Sequence, residues 1–295
     1  MLAFIYIIIY YRIIGFIRLE NDVTDADIKL TANEVKRNIV SMIVKAKGGH
    51  IACSLSEADI LTVLFFYTLN YSPEERDNPD RDRFVLSKGH ASEGLYSVLA
   101  ERGFFPKPWL FEYLKHESPL TIHPTKSVPG VEINTGALGH GLSIAAGMAL
   151  AAQKTGKKYR VFVLTGDGEL QEGSNWEAAM AAAYYKLGNL TLIIDNNGIQ
   201  LADTIANTME INPLRDKLEA FGFDVHDVDG HDTGAMAALF DSLDYASAKP
   251  HAVIAHTIKG KGVSFMENKP EWHHTIPTEE QGVLALNELS QEISK

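Results

Sequence analysis

Hydrophobic spacing along the chain changes period several times, and each change marks an element. "TANEVKRNIVSMIVKAKGGH" places Val35, Ile39, Ile43 and Val44 at helical intervals and stops at Gly48 and Gly49, just before His50. "SLSEADILTVLFFYTL" predicts a second helix, with Ser56 as its N-cap and Asp59 three positions on. Phe84 to Leu86 reads as a short strand, followed by the loop "SKGH" and a helix over about 91–101. Residues 104–132 carry five prolines and read as irregular connection, and loops of that length in a compact domain are usually functional. "GALGHGLSIAAGMALAAQK" opens on glycines and continues as a small-residue helix.

The clearest unit follows: strand 159–164, loop "TGDGELQEG", helix 174–186, strand 190–194, loop "DNNGIQ". This is βαβ grammar, which implies parallel strands joined by right-handed crossovers. Strands over 223–228 and 252–256, with a helix over 233–246 between them, extend the same pattern. The expected fold is one α/β domain over residues 31–295, a doubly wound, mainly parallel sheet with helices on both faces. Residues 1–30 are expected to be an apolar appendage outside the domain. Its core, Leu2 to Ile17, is interrupted by Arg12 and falls short of the roughly 20 apolar residues of a spanning helix. It lacks the basic leader and cleavage site of a signal peptide. A start site assigned too early is the favoured reading of this run, and a peripheral membrane anchor the alternative.

Composition narrows the partners. A length of 295 residues suffices for a substantial core, and the formal net charge of −11 argues against nucleic acid or anionic membrane as the main partner. The single cysteine, Cys53, excludes an internal disulfide and fits a reducing compartment, so a cytoplasmic location is expected.

Asp167 and Asn197 follow successive expected parallel strands, so both emerge at one sheet edge, where open α/β sheets bind ligands. A carboxylate, an amide oxygen and a backbone carbonyl such as that of Ile199 form a hard oxygen set suited to Mg²⁺, with phosphate and water completing the octahedron. Alone, "GDG" is common turn chemistry; "DNNGI" one βα unit later shifts the balance toward a metal–phosphate site. His50, His90, His123 and His273 each sit in a loop. A lone loop histidine is more often solvated or structural than catalytic. Four of them beside a candidate metal edge suggest a polyhydroxylated or phosphorylated substrate. His274 has the same local claim as His273. No P-loop, nucleophile elbow or zinc spacing is present.

"GDGELQEGSNWEAAMAAAYYKLGNLTLIIDNNGIQ" resembles the thiamine diphosphate motif of transketolases. "FVLSKGHAS", "IHP", "PGVEINTGALGHGLSIAAGMA" and "WHH" are similar to further motifs of that family in its order, so the likeness spans about 31–278. The resemblance implies that Asp167, Asn197 and the Ile199 carbonyl bind Mg²⁺ (or Ca²⁺ or Mn²⁺) bridging the cofactor diphosphate. It implies that Gly166, Gly168 and the segment Gly136, Ala137 and Leu138 approach thiamine diphosphate through backbone. His50, His90, His123 and His273 would line the channel, touching diphosphate or donor-sugar hydroxyls, and Glu172 would lie at a subunit interface. One departure is that Ile51 and Ala52 follow His50 where the family often has Pro-Gly.

In transketolases the glutamate that activates the cofactor lies in a second, pyrimidine-binding domain. The chain stops shortly after "WHHTIPTEEQ", in what reads as a short tail. The expectation is therefore the N-terminal subunit of a split transketolase of the pentose phosphate pathway, working with a separate C-terminal subunit that carries the glutamate, as a hetero-oligomer built on a dimer. Its expected reaction moves a two-carbon ketol unit between sugar phosphates. The alternatives are half of another thiamine diphosphate enzyme, such as deoxyxylulose phosphate synthase or a 2-oxoacid dehydrogenase component, and a non-catalytic regulatory subunit.

Overall fold

The structure, a computed structural model, describes residues 23–201 and 203–292. The Leu2–Ile17 run lies outside the described residues. In chain order the main elements are α1 (Asp25–Ala46), α2 (Ile51–Val63), β1 (Arg83–Leu86), α3 (Ser92–Arg102), α4 (Gly141–Thr155), β2 (Val161–Gly166), α5 (Gly173–Tyr184) and β3 (Leu190–Asn196). They continue with β4 (Ile199–Gln200), β5 (Asp203–Thr204), α6 (Ile205–Thr208), α7 (Leu214–Phe221), β6 (Asp224–Asp229), α8 (Thr233–Ser242), β7 (His251–His256) and α9 (Glu279–Glu292).

Five strands form one sheet in the order β1-β2-β3-β7-β6, every neighbouring pair parallel. The short β4 and β5 form a separate antiparallel ribbon. Alternation along the strands divides the core into two layers. Phe84, Leu86, Phe162, Leu164 and Ile193 face the cluster built with α1, α2, α3, α8 and α9. Val85, Val161, Val163, Leu192 and Ile194 face the cluster built with α4, α5 and α7. Helices on both faces of a parallel sheet make this the doubly wound α/β fold expected from the sequence.

Three local expectations need correction. The first helix starts at Asp25, where Thr24 and Asp27 form a capping box, and Ile28 is buried in the main core. The domain boundary therefore lies before Thr31. Ser56 is no N-cap: α2 begins at Ile51, and the Ser56 hydroxyl, in mid-helix, donates to Asp195 Oδ2 at 2.6 Å. A polar partner from β3 satisfies the group that resembles a helix start. Every residue of α2 is buried, and the longer apolar run that it opens, Ile51–Thr68, is 83% buried, so a stretch apolar enough to cross a membrane serves here as core. The C-terminal segment, expected as a short tail, is α9. It docks on α1 through Ala285 and Leu289 and through the Asn33 side chain, whose Nδ2 donates to the Leu289 carbonyl at 2.8 Å.

Candidate active site

The carboxyl edge of the sheet gathers the chemistry. β2 runs into Asp167, β3 into Asn197, β1 into the Ser87–His90 turn, and β7 into Thr257 and Lys259. The α1–α2 junction delivers His50, and the turn Pro270–His273 delivers His273.

Asp167 is buried, and its carboxylate is wrapped by backbone. Oδ1 accepts from Gly168 N at 2.7 Å and Oδ2 from Gly198 N at 2.6 Å. The "NNG" turn is thus folded onto the "GDG" carboxylate, as the two parallel strands in register require. Burial pushes the Asp167 pKa up to about 6; the charge of Asp195 adds to this, and the two backbone donors oppose it. Asn197 Oδ1 accepts from Ile199 N at 3.1 Å, and the Ile199 carbonyl accepts from Lys259 Nζ at 3.0 Å. Each of these oxygens keeps a lone pair beyond its one donor. A buried, under-compensated carboxylate beside an amide oxygen and a carbonyl fits a hard divalent cation.

The histidines converge from distant segments. His50 lies 5.3 Å from His90, 5.6 Å from His273 and 4.8 Å from His274 between ring centroids, and His90 stacks on His273 at 5.6 Å. Burial lowers the His50 pKa to about 4 and that of His273 to about 3, with Lys259 adding to both. Burial and then the Lys88 charge hold His90 well below the usual imidazole range. All three are therefore neutral at pH 7, each offering one donor and one acceptor. Lys259 Nζ donates to His273 Nδ1 at 2.9 Å, which sets the tautomer with the proton on Nε2. His50 Nδ1 is buried with no hydrogen-bond partner, the condition of a group that awaits a ligand. His273 is buried and His274 exposed, which separates two residues that local sequence cannot.

His123 completes one wall. Its ring packs under Gly136, where an added Cβ would sit 3.0 Å from the imidazole and φ is +139°. Gly89 presses on the same segment: a Cβ there would lie 2.6 Å from Thr135 Oγ1 and 2.8 Å from Gly136 N. Ala137 and Leu138 are exposed beside this contact, as is Glu172 at the start of α5. Gly166 closes β2 and donates to Glu169 Oε2 at 3.1 Å.

Sequence reasoning missed the buried charges beneath these loops. Glu169 ties three of them, accepting from the Ser87 hydroxyl, from Gly139 N at 2.8 Å and from Gly166 N. Lys88 pairs with Asp195 and lies 3.3 Å from Glu57. A charged residue inside an apolar run was the available signal, as at Glu57 and Asp59 in "SEADILTV".

A family model for the transketolase thiamine diphosphate binding domain matches residues 28–289, and the chain belongs to that family. It is 47% identical over 268 residues to an apulose-4-phosphate transketolase subunit of Actinobacillus succinogenes, covering 90% of this chain and 97% of that protein. It is 37% identical over 267 residues to a 6-deoxy-6-sulfo-D-fructose transketolase subunit of a Clostridium species (strain MSTE9), with coverage of 90% and 97%. The transketolase of Campylobacter jejuni superposes with a TM-score of 0.78 at 30% identity over 90% of this chain. The chain spans 47% of that enzyme's length.

Proposed function

We propose that this chain is the diphosphate-binding subunit of a split transketolase, working in the cytoplasm with Mg²⁺, thiamine diphosphate and a separate subunit that holds the pyrimidine end of the cofactor. The observation that carries the reading is the meeting, at one sheet edge, of an oxygen set for a cation with three neutral, largely desolvated imidazoles from three separate segments. Two relatives of nearly equal length that bear subunit names support the need for a partner. The reaction proposed is transfer of a two-carbon ketol unit from a ketose phosphate to an aldose phosphate.

The geometry supports the following roles. Asp167, Asn197 and the Ile199 carbonyl hold Mg²⁺, and the diphosphate is assigned to the backbone of Gly136–Leu138 and Gly166–Gly168, where Gly166 is open: a Cβ there would meet nothing closer than 4.0 Å. Bound thiamine diphosphate supplies the nucleophilic carbon that accepts the ketol unit. His50, His90 and His273 stay uncharged, so each can donate to a phosphate or hydroxyl oxygen and accept from a sugar hydroxyl. His123, whose ring packs against Gly136, is assigned to the donor sugar. Relatives named for apulose 4-phosphate and for 6-deoxy-6-sulfo-D-fructose define the donor panel beside the ketoses of the pentose phosphate pathway.

Calorimetric titration of thiamine diphosphate into the reconstituted pair tests the site. Wild type is expected to bind only with Mg²⁺ present, and Asp167→Ala to lose that dependence and most affinity. Tight, Mg²⁺-dependent binding by Asp167→Ala would remove the metal assignment.

A further inference from the structure

At the amino edge of the sheet, opposite the site above, three side chains converge that the proposed chemistry does not use. β6 is an edge strand, and Asp224 and His226, two residues apart, share one of its faces. β7 pairs with it so that His251 stands directly beside Asp224. Asp224 Oδ2 lies 3.0 Å from His226 Nε2 and 3.3 Å from His251 Nδ1. One ligand atom from each residue falls within 4.8 Å of the others.

The decisive detail is at His251, whose side chain is 1% exposed. Its Nε2 lies 3.1 Å from the Asp244 carbonyl. A carbonyl only accepts, so Nε2 carries a proton, and in the neutral ring Nδ1 then holds a lone pair. That buried Nδ1 has no hydrogen-bond partner, yet it faces a carboxylate oxygen. The His251 lone pair, buried on its own side, thus opposes a carboxylate lone pair of the half-exposed Asp224, and a cation between them relieves that opposition.

We propose that Asp224, His226 and His251 bind a divalent transition-metal ion of the zinc type, which ties the edge strand to its neighbour. Two imidazoles and one carboxylate form a borderline donor set that favours Zn²⁺ over Mg²⁺. A tetrahedral ion with ligands at about 2.0–2.1 Å sets them about 3.3 Å apart. The two separations at Asp224 already approach this. The Asp244 carbonyl fixes the ring and tautomer of His251, as outer partners of metal-bound histidines do. Asp224, whose side chain is 47% exposed, leaves one side open for water as the fourth ligand.

The test is equilibrium dialysis of the chelator-treated full chain against Zn²⁺ at neutral pH with Mg²⁺ in large excess, and visible absorption of the Co²⁺ form. Wild type is expected to retain one equivalent of Zn²⁺ and to give the intense band of four-coordinate cobalt. His226→Ala and Asp224→Asn, at partly exposed positions where folding can be checked by circular dichroism, should weaken binding at least tenfold and lose the band. Asp167→Ala should keep both. Absence of Zn²⁺ binding, or full binding by His226→Ala and Asp224→Asn, would overturn the proposal and leave a proton as the cation between His251 and Asp224.

Discussion

Replacing Lys88 by Met isolates the electrostatic support of the site. The Lys88 ammonium is 2% exposed, pairs with Asp195, lies 3.3 Å from Glu57 Oε2 and donates to the Cys53 carbonyl at 3.1 Å. Burial opposes its charge, but Asp195 and Glu57 more than offset this and raise its pKa. Burial likewise pushes Asp195 up, and Lys88 brings it below the usual carboxylate range. Methionine fills similar volume, so the cavity contribution is small and the loss is that of one partner of a buried ion pair, about 3–5 kcal/mol. The Ser56 hydroxyl, at 2.6 Å, and the Thr257 hydroxyl still donate to Asp195, which places the expectation at the lower end. Without the ammonium, the folded-state pKa of Asp195 rises above its unfolded value. A carboxyl raised in this way destabilises the fold as pH rises from the unfolded pKa through the folded one, so the deficit should be larger at pH 8 than at pH 5. Guanidinium unfolding of wild type and Lys88→Met at both pH values, with Lys88→Met/Asp195→Asn to show partial recovery at pH 8, is the assay. A deficit below about 1 kcal/mol, or one of equal size at both pH values, would refute the assignment of a buried, charge-compensating lysine.

His123→Ala, tested with the partner subunit, should slow turnover of the sugar donor while leaving thiamine diphosphate affinity near wild type; an equal loss of both would assign it a structural role. Gly89→Ala should cost about 1–3 kcal/mol in a denaturant midpoint, because its Cβ meets the Gly136 backbone, whereas Gly147→Ala, with nothing within 4 Å, should be neutral or stabilising. Since His50 and His273 are lowered from 6.5 to about 4 and about 3, the unfolded chain binds more protons than the fold below pH 6.5. Stability should therefore fall as pH drops from 6.5 toward 3, and His273→Gln should flatten that dependence in a thermal melt series; an unchanged slope would remove the claim that His273 is held neutral.

The centre of the sheet is legible in the sequence because β2 and β3 are short apolar runs that lead into Gly-Asp-Gly and Asn-Asn-Gly, and this punctuation locates both strands and the ligand edge. Boundaries move where tertiary contacts compete with local signals. β3 extends to Asn196 because Asp195 is satisfied from outside the strand by Ser56 and Lys88, so a carboxylate reads as a loop residue although it lies inside the sheet. α9 gives a weak signal because its buried positions, Ala285 and Leu289, are sparse and its solvent face carries Val283 and Leu284. For the site, spacing alone leads to Asp167 and Asn197, and loop context gathers the four histidines. No local pattern can show that Lys259 holds both the Ile199 carbonyl and His273, because those contacts join segments 60 and 14 residues away. The amino-edge cluster of Asp224, His226 and His251 is equally invisible, since strand register brings it together.

Whether catalysis needs this chain and a pyrimidine-binding subunit together is decided by following release of the shortened carbonyl product from a ketose donor, with Mg²⁺, thiamine diphosphate and an aldose phosphate acceptor. The two proteins are assayed separately and then mixed, across xylulose 5-phosphate, apulose 4-phosphate and 6-deoxy-6-sulfo-D-fructose as donors. Turnover of at least one donor is expected in the mixture, and none with either protein by itself. Turnover by this chain without a partner, or silence of the mixture with every donor, would contradict the split-enzyme reading.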